Sequence, residues 1–110
     1  MPIAQRSEWP QILRDFSRKN AGRASRLEVD DPELGAQWSE LELCFRGAAY
    51  EPRFRRVEIL LVDGGGPAGP LTHSIEAVTD IAVRQGADGR DRVLRIGYPG
   101  GQTLLRLAAT

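Results

Sequence analysis

A chain of 110 residues with 41% hydrophobic residues has room for one domain and its core, and none for a second. Its 15 basic and 15 acidic residues cancel, so no long-range field steers it toward nucleic acid or an anionic membrane. Cys44 is the single cysteine, which excludes an intrachain disulfide and fits a reducing compartment.

Lys19 is the only lysine and the remaining basic residues are arginine, a bias that reads as the base composition of a GC-rich bacterial genome. The opening MPIAQRSEW lacks the apolar stretch of a signal peptide, and no run of 18 apolar residues occurs. The expectation is a cytoplasmic protein without a membrane span.

In chain order, residues 7–19 read as a helix. Trp9, Ile12, Leu13 and Phe16 fall at i, i+3, i+4 and i+7 and form one apolar stripe, while Arg14, Asp15, Arg18 and Lys19 take the other face. Ser7 is the expected N-cap, Pro10 is tolerated in the first turn, and Asn20 to Gly22 stops the helix.

From Ala24 the period changes to two. Ala24–Asp31 is a first strand carrying Leu27 and Val29, and Trp38–Arg46 is a second with Leu41, Leu43 and Phe45 on one side. A bend is expected over Gly47–Pro52. Phe54–Val62 follows, with Val57, Ile59 and Leu61 facing the core and Leu60 and Val62 buried on its second face. Asp63–Pro70 (DGGGPAGP) reads as a loose loop.

Leu71–Arg84 keeps its alternation for fourteen residues, so a bend or bulge is expected near Ala77–Asp80. After the ADGRD turn, Arg92–Tyr98 and Gln102–Ala108 form a hairpin across Pro99-Gly100-Gly101. The predicted class is α+β, mainly β. It comprises an N-terminal amphipathic helix on a curved antiparallel sheet or small SH3-like or Sm-like barrel of five to six strands, in one domain over residues 1–110.

Four stretches carry a resemblance to a known family: Gly47-Ala48-Ala49-Tyr50-Glu51-Pro52, Arg56-Val57-Glu58-Ile59-Leu60, Leu71-Thr72-His73-Ser74-Ile75 and Gly101-Gln102-Thr103-Leu104-Leu105-Arg106-Leu107. Glu8-Trp9 followed by Phe16 fits as well. With these the chain resembles a family of small bacterial proteins, a domain of unknown function, along most of its length. The resemblance implies a small bacterial domain and brings no activity, cofactor or catalytic residue with it.

The chemistry-bearing residues are few. One cysteine and one histidine do not make a zinc site, Asp30, Asp31 and Glu33 lack the ligand spacing of a calcium loop, and Gly64-Gly65-Gly66 lacks the Lys-Ser/Thr of a phosphate-binding loop. No metal or cofactor is expected. Cys44 has Arg46 on its own strand face but no second thiol, and reads as structural.

His73, between Leu71 and Ile75, is the one residue on which an enzyme could be centred. Glu76, three positions on, falls on the opposite strand face, which favours a structural ring. Arg46, Arg53, Arg55 and Arg56, interleaved with Tyr50 and Phe54, form the local charge concentration and the candidate binding residues. The leading expectation is a non-enzymatic protein-interaction module, with a homodimer through an open strand edge as one form. The first alternative is a single-stranded nucleic-acid binder using the Arg46–Arg56 segment, disfavoured by the neutral total charge and by Glu51 and Glu58. The second is an enzyme at His73.

Overall fold

A computed structural model describes residues 4–31, 35–38, 42–63 and 70–109. Helix α1 spans Trp9–Asn20, after a single 3₁₀ turn over Arg6–Glu8. That turn moves the cap away from Ser7, which lies exposed inside it, and Glu8 Oε1 instead accepts from the Gln5 N–H at 3.0 Å. The end is as expected: the helix stops at Asn20, and Gly22 has φ +94. Trp9, Leu13 and Phe16 are buried, and Ile12 packs at the core margin.

Among the described residues eight strands follow: β1 (Ala24–Asp31), β2 (Gly35–Trp38), β3 (Leu43–Glu51), β4 (Arg56–Asp63), β5 (Pro70–Ile75), β6 (Asp80–Gln85), β7 (Asp91–Tyr98) and β8 (Gly101–Leu107). All pairs are antiparallel, in the order β5-β4-β3-β1-β8-β7-β6, with β2 pairing β1 off this path. The protein is thus α+β and mainly β, built on an open curved sheet.

Two expected strands each divide. Trp38 ends β2 and Leu43 begins β3, both along the side of β1 away from β8, and Leu41 lies outside the described residues. The run from Leu71 breaks at Glu76–Thr79, where Ala77 takes φ 56, and β5 and β6 go to opposite edges of the sheet. The expected bend over Gly47–Pro52 is strand as far as Glu51, and the irregularity is a bulge between Phe45 and Gly47. Of the second face of β4, Leu60 is exposed and Val62 half-buried, so only Val57, Ile59 and Leu61 are core. The interior of the expected loop, residues 64–69, lies outside the described residues.

The short β5–β6 connection forces the curvature. A flat sheet would hold these edges six strand spacings apart, about 29 Å. The five Cα steps from Ile75 to Asp80 reach at most roughly 18 Å. The sheet therefore curls, and the connection fastens the curl: Val78 N–H donates to Arg55 C=O at 2.9 Å and Thr79 N–H to Gly97 C=O at 2.8 Å. Inside lies one core, from Leu27 and Phe45 through Val57, Ile59 and Leu61 to Leu94, Ile96 and Leu105.

β1 pairs β3 only at Ala24–Ser25, so the rest of β3 has β4 on one side and, among the described residues, no strand on the other. Helix α1 fills that place. Ser17 Oγ accepts from the Ala48 N–H at 2.8 Å and lies 3.1 Å from the Ala48 C=O, so it stands where a neighbouring strand's backbone would. Phe16 meets Phe45 edge to face at 5.2 Å between centroids.

Phe16→Ala should cost about 3–5 kcal/mol, the range for emptying a core aromatic site. Ser17→Ala should cost about 1–3 kcal/mol by leaving the Ala48 N–H unpaired beside the helix. Urea denaturation of the two variants checks both; a neutral Ser17→Ala would mean that water replaces the hydroxyl without loss.

Candidate functional site

The candidate binding residues separate into three places. Arg46 is exposed at the β3 bulge. Tyr50 turns toward the helix and meets Trp9 edge to face, with ring centroids 5.2 Å apart and planes at 86°, so its ring is not a free stacking platform. Arg53, Phe54, Arg55 and Arg56 gather on the β3–β4 connection.

That connection is a tight knuckle. Pro52–Phe54 form one 3₁₀ turn, and the Glu51 carboxylate accepts from Arg53 N–H at 2.9 Å. Arg55 is left-handed, φ 48 and ψ 48, a conformation that costs a non-glycine residue roughly 1–2 kcal/mol. Its carbonyl holds Val78 N–H, next to Ala77, the other non-glycine residue with positive φ among the described residues. Phe54 is 51% exposed, and the Arg56 guanidinium lies 4.8 Å from its ring centroid. Arg56 also approaches Glu58 at 3.5 Å and Glu76 at 4.0 Å. Arg53 and Arg55 are exposed and have no carboxylate partner among the described residues.

Beside the knuckle runs a groove of about 560 Å³ between α1 and the outer face of β3, β4 and β5. Pro10, Arg14 and Ser17 form its helical wall. Gly47, Ala49 and Leu60 form its floor, Thr72 its far side, and Tyr50 and Glu58 line it as well. It is concave because β3 carries three consecutive small residues, Gly47-Ala48-Ala49, where the helix comes alongside. Those small residues in a strand were the sequence signal for a groove, one that the period-two reading passed over. The Tyr50 hydroxyl is buried without a hydrogen-bond partner among the described residues.

His73 stands opposite Ile59 on the edge strand β5, half-buried, with no side-chain hydrogen bond among the described residues. Burial lowers its pKa and favours the neutral ring. The carboxylates near it in sequence are engaged elsewhere, Glu76 toward Arg56 and Asp80 with Arg95. Leu71, expected on the same apolar face, is 49% exposed. Cys44 is half-buried, its thiol 3.9 Å from the Phe45 carbonyl.

Two polar networks join distant strands. Asn20 Nδ2 donates to Asp91 Oδ2 at 2.7 Å, and Arg23 Nη1 donates to Asn20 Oδ1 at 2.9 Å and to the Asp91 carbonyl at 2.7 Å. Arg23 also reaches the Ala108 carbonyl, so the helix end, β1, β7 and the end of β8 share one buried knot. Burial, then Arg90 and Arg92, lower the Arg23 pKa. On the outer face a ladder crosses four strands: Gln102 Nε2 donates to Asp30 Oδ2 at 2.8 Å, Arg95 Nε to Gln102 Oε1 at 2.7 Å, and Arg95 pairs with Asp80. Gly97 makes room for that pair, since a Cβ there would collide with the Asp80 carboxylate.

The fold and these surfaces define a small α+β domain that presents a groove and an arginine-bearing knuckle from a curved open sheet. The chain belongs to a family of unknown function (DUF5335), whose model matches residues 3–109. No curated protein and no solved structure matches it. Among the described residues no group of side chains could hold a metal ion, and no helix is long and apolar enough to cross a membrane.

Glu28 gives the fold a pH dependence. It is buried, and its pKa is raised by that burial first and by its hydrogen bond with Asp30 next, while Arg106 at 3.9 Å opposes the shift. Asp30 moves down, held by Gln102 and by the Glu28 proton. A carboxyl whose pKa rises on folding binds more protons folded than unfolded, so its contribution to stability falls as pH climbs from its ordinary 4.5 through the folded value. Glu28→Gln should therefore hold a higher melting temperature than the native chain at pH 8 and converge with it near pH 4. Thermal scans across pH 4–8 test this, and a variant less stable at pH 8 would assign the stabilising role to the ionised carboxylate.

Proposed function

We propose that this domain is a non-enzymatic protein-interaction module whose contact surface is the β3–β4 knuckle. The carrying observation is Phe54, an aromatic ring half exposed under the Arg56 guanidinium and flanked by Arg53 and Arg55. Aromatic and arginine side chains dominate binding energy at interfaces, and a backbone held by Val78 presents them with little ordering left to lose. The placement of His73 against Ile59, its neighbouring carboxylates engaged by arginines, supports the non-enzymatic side of the reading.

The same ring and guanidinium groups would suit a single-stranded nucleic acid. Against it stand the chain's neutral total, the separation of Arg46 and Tyr50 from the knuckle, and Glu58 and Glu76 beside Arg56. Self-association has one feature in its favour: β5, an edge strand, carries no charged residue from Pro70 to Ile75.

A photo-crosslinking residue at position 54 should give a discrete protein adduct in cells, absent from a control at exposed position 26 and lost when Arg53 and Arg55 become glutamate. No adduct dependent on those arginines would sink the reading. In the same set, fluorescence anisotropy with a twenty-residue oligothymidylate should show no binding at physiological salt. A micromolar affinity that weakens steeply with salt would transfer the knuckle to nucleic acid. Sedimentation equilibrium decides whether the partner is a second copy.

A further inference from the structure

The two ends of the sheet are built differently. β6, at one end, carries Asp80 and Arg84 and has an irregularity between Arg84 and Gln85. Charges and bulges of this kind keep an edge from pairing with another chain. β5, at the other end, is uncharged from Pro70 to Ile75, and its register with β4 runs without interruption. Its one blunting residue, Pro70, stands at the very start. Pro70, Leu71, Thr72 and Ser74 are all exposed, Leu71 at 49%.

The backbone of that edge has a fixed polarity. Pro70 has no N–H, so its pairing with Val62 is of the non-hydrogen-bonded kind. The alternation of an antiparallel ladder then bonds Leu71, His73 and Ile75 to β4 and turns the N–H and C=O of Thr72 and Ser74 outward. Neither Thr72 nor Ser74 makes a backbone hydrogen bond elsewhere among the described residues.

This row of groups complements itself. A second β5, laid antiparallel about a two-fold axis at His73, sets Thr72 opposite Ser74 of the second copy, and Ser74 opposite its Thr72. Each facing pair exchanges an N–H···O=C bond in both directions, so every outward group of the two residues is satisfied. Opposite side chains share a face: the two hydroxyl residues meet on one side, and on the other the exposed Leu71 gains Ile75 of the second copy. A shift by one residue would set the outward groups against backbone already bonded to β4. The chain's net charge of zero brings no repulsion between copies.

We infer that a second copy of this chain pairs along the β5 edge, joining two sheets into one with His73 on the two-fold axis. The ladder is short, so the dimer is weak and concentration-dependent. The β5 edge is a surface separate from the knuckle, and either can fail without the other.

Sedimentation velocity of the full chain, from micromolar to millimolar concentration, should show a monomer–dimer equilibrium. Thr72→Pro removes an outward N–H from each copy and spares the bonds to β4, while Ser74→Lys places a charge on the edge. Each should weaken the dimer about tenfold or more, the scale of two lost hydrogen bonds, with the circular dichroism spectrum unchanged. If Thr72→Pro alters the spectrum, Ser74→Lys decides alone. In a Cys44→Ser background, His73→Cys should give a disulfide-linked dimer on mild oxidation, since residues facing each other in a non-hydrogen-bonded pair have Cα atoms about 4.5 Å apart. Leu71→Cys, opposite position 75, should not.

A chain still monomeric at millimolar concentration overturns the inference. So does a dimer indifferent to Ser74→Lys, or one that crosslinks through position 71 and not 73. A dimer lost only when Arg53 and Arg55 become glutamate overturns it in favour of the knuckle, which the crosslink at position 54 judges separately.

Discussion

The architecture depends on the early parting of β1 and β3. Their ladder covers two residue pairs, after which β3 continues to Glu51 beside β4 with no strand among the described residues on its other edge. An unpaired strand edge inside a small domain would leave backbone groups without partners, and α1 resolves this by lying along it. Ser17 Oγ accepts from the Ala48 N–H and has its own proton between the Leu13 carbonyl at 2.6 Å and the Ala48 carbonyl at 3.1 Å, while Gly22 N–H and Arg23 C=O bond to Phe45 just below, so the α1–β1 link carries the ladder up to the helix. The apolar stripe of α1 enters the core as a consequence of this position. The groove is a consequence too, being the crease left on the outer side where a round helix meets a flat strand.

The buried polar groups secure the same arrangement from the opposite side. Asn20 is the last residue of α1 and Asp91 the first of β7, three strands away from β3 in the sheet. A helix anchored to both β3 and β7 spans the concave opening as a chord. Arg23 makes the anchor specific, because its guanidinium bonds Asn20, the Asp91 carbonyl and the Ala108 carbonyl at once, and another cation could not reproduce that fork. A buried arginine is costly unless its protons are satisfied, and here most of them are.

Periodicity made the interior legible. The stripe Trp9, Leu13, Phe16 and the alternating Leu43, Phe45, Val57, Ile59 and Leu61 are core residues because each faces one side of an element whose period the sequence shows. Topology was less legible. The alternation from Leu71 runs unbroken through Thr79, yet Ala77 in a left-handed conformation sends the two halves to opposite edges, and alanine gives no local hint of it. The Gly47-Ala48-Ala49 segment has weak strand propensity and extends only because β4 and α1 hold it from either side. The candidate site divided for a related reason: sequence neighbours on an extended strand separate by about 3.3 Å per residue, which carries Arg46 far from Arg53 and Phe54.

The knuckle and the curl are two ends of one device. Closing a seven-strand path with a four-residue link brings Glu76–Thr79 across the end of the sheet, where Val78 N–H needs an acceptor. Arg55 supplies it with its own backbone left-handed, and Phe54, one residue before, is half exposed. The exposed ring at the tip thus lies beside the link that joins the two edges of the open sheet, and the conformational cost at Arg55 and Ala77 is borne next to it. A glycine at position 55 would relax the turn and loosen the presentation of Phe54 and Arg56. The strain and the exposed Phe54–Arg56 pair therefore belong to the same few residues, and the β5–β6 link holds the knuckle in shape.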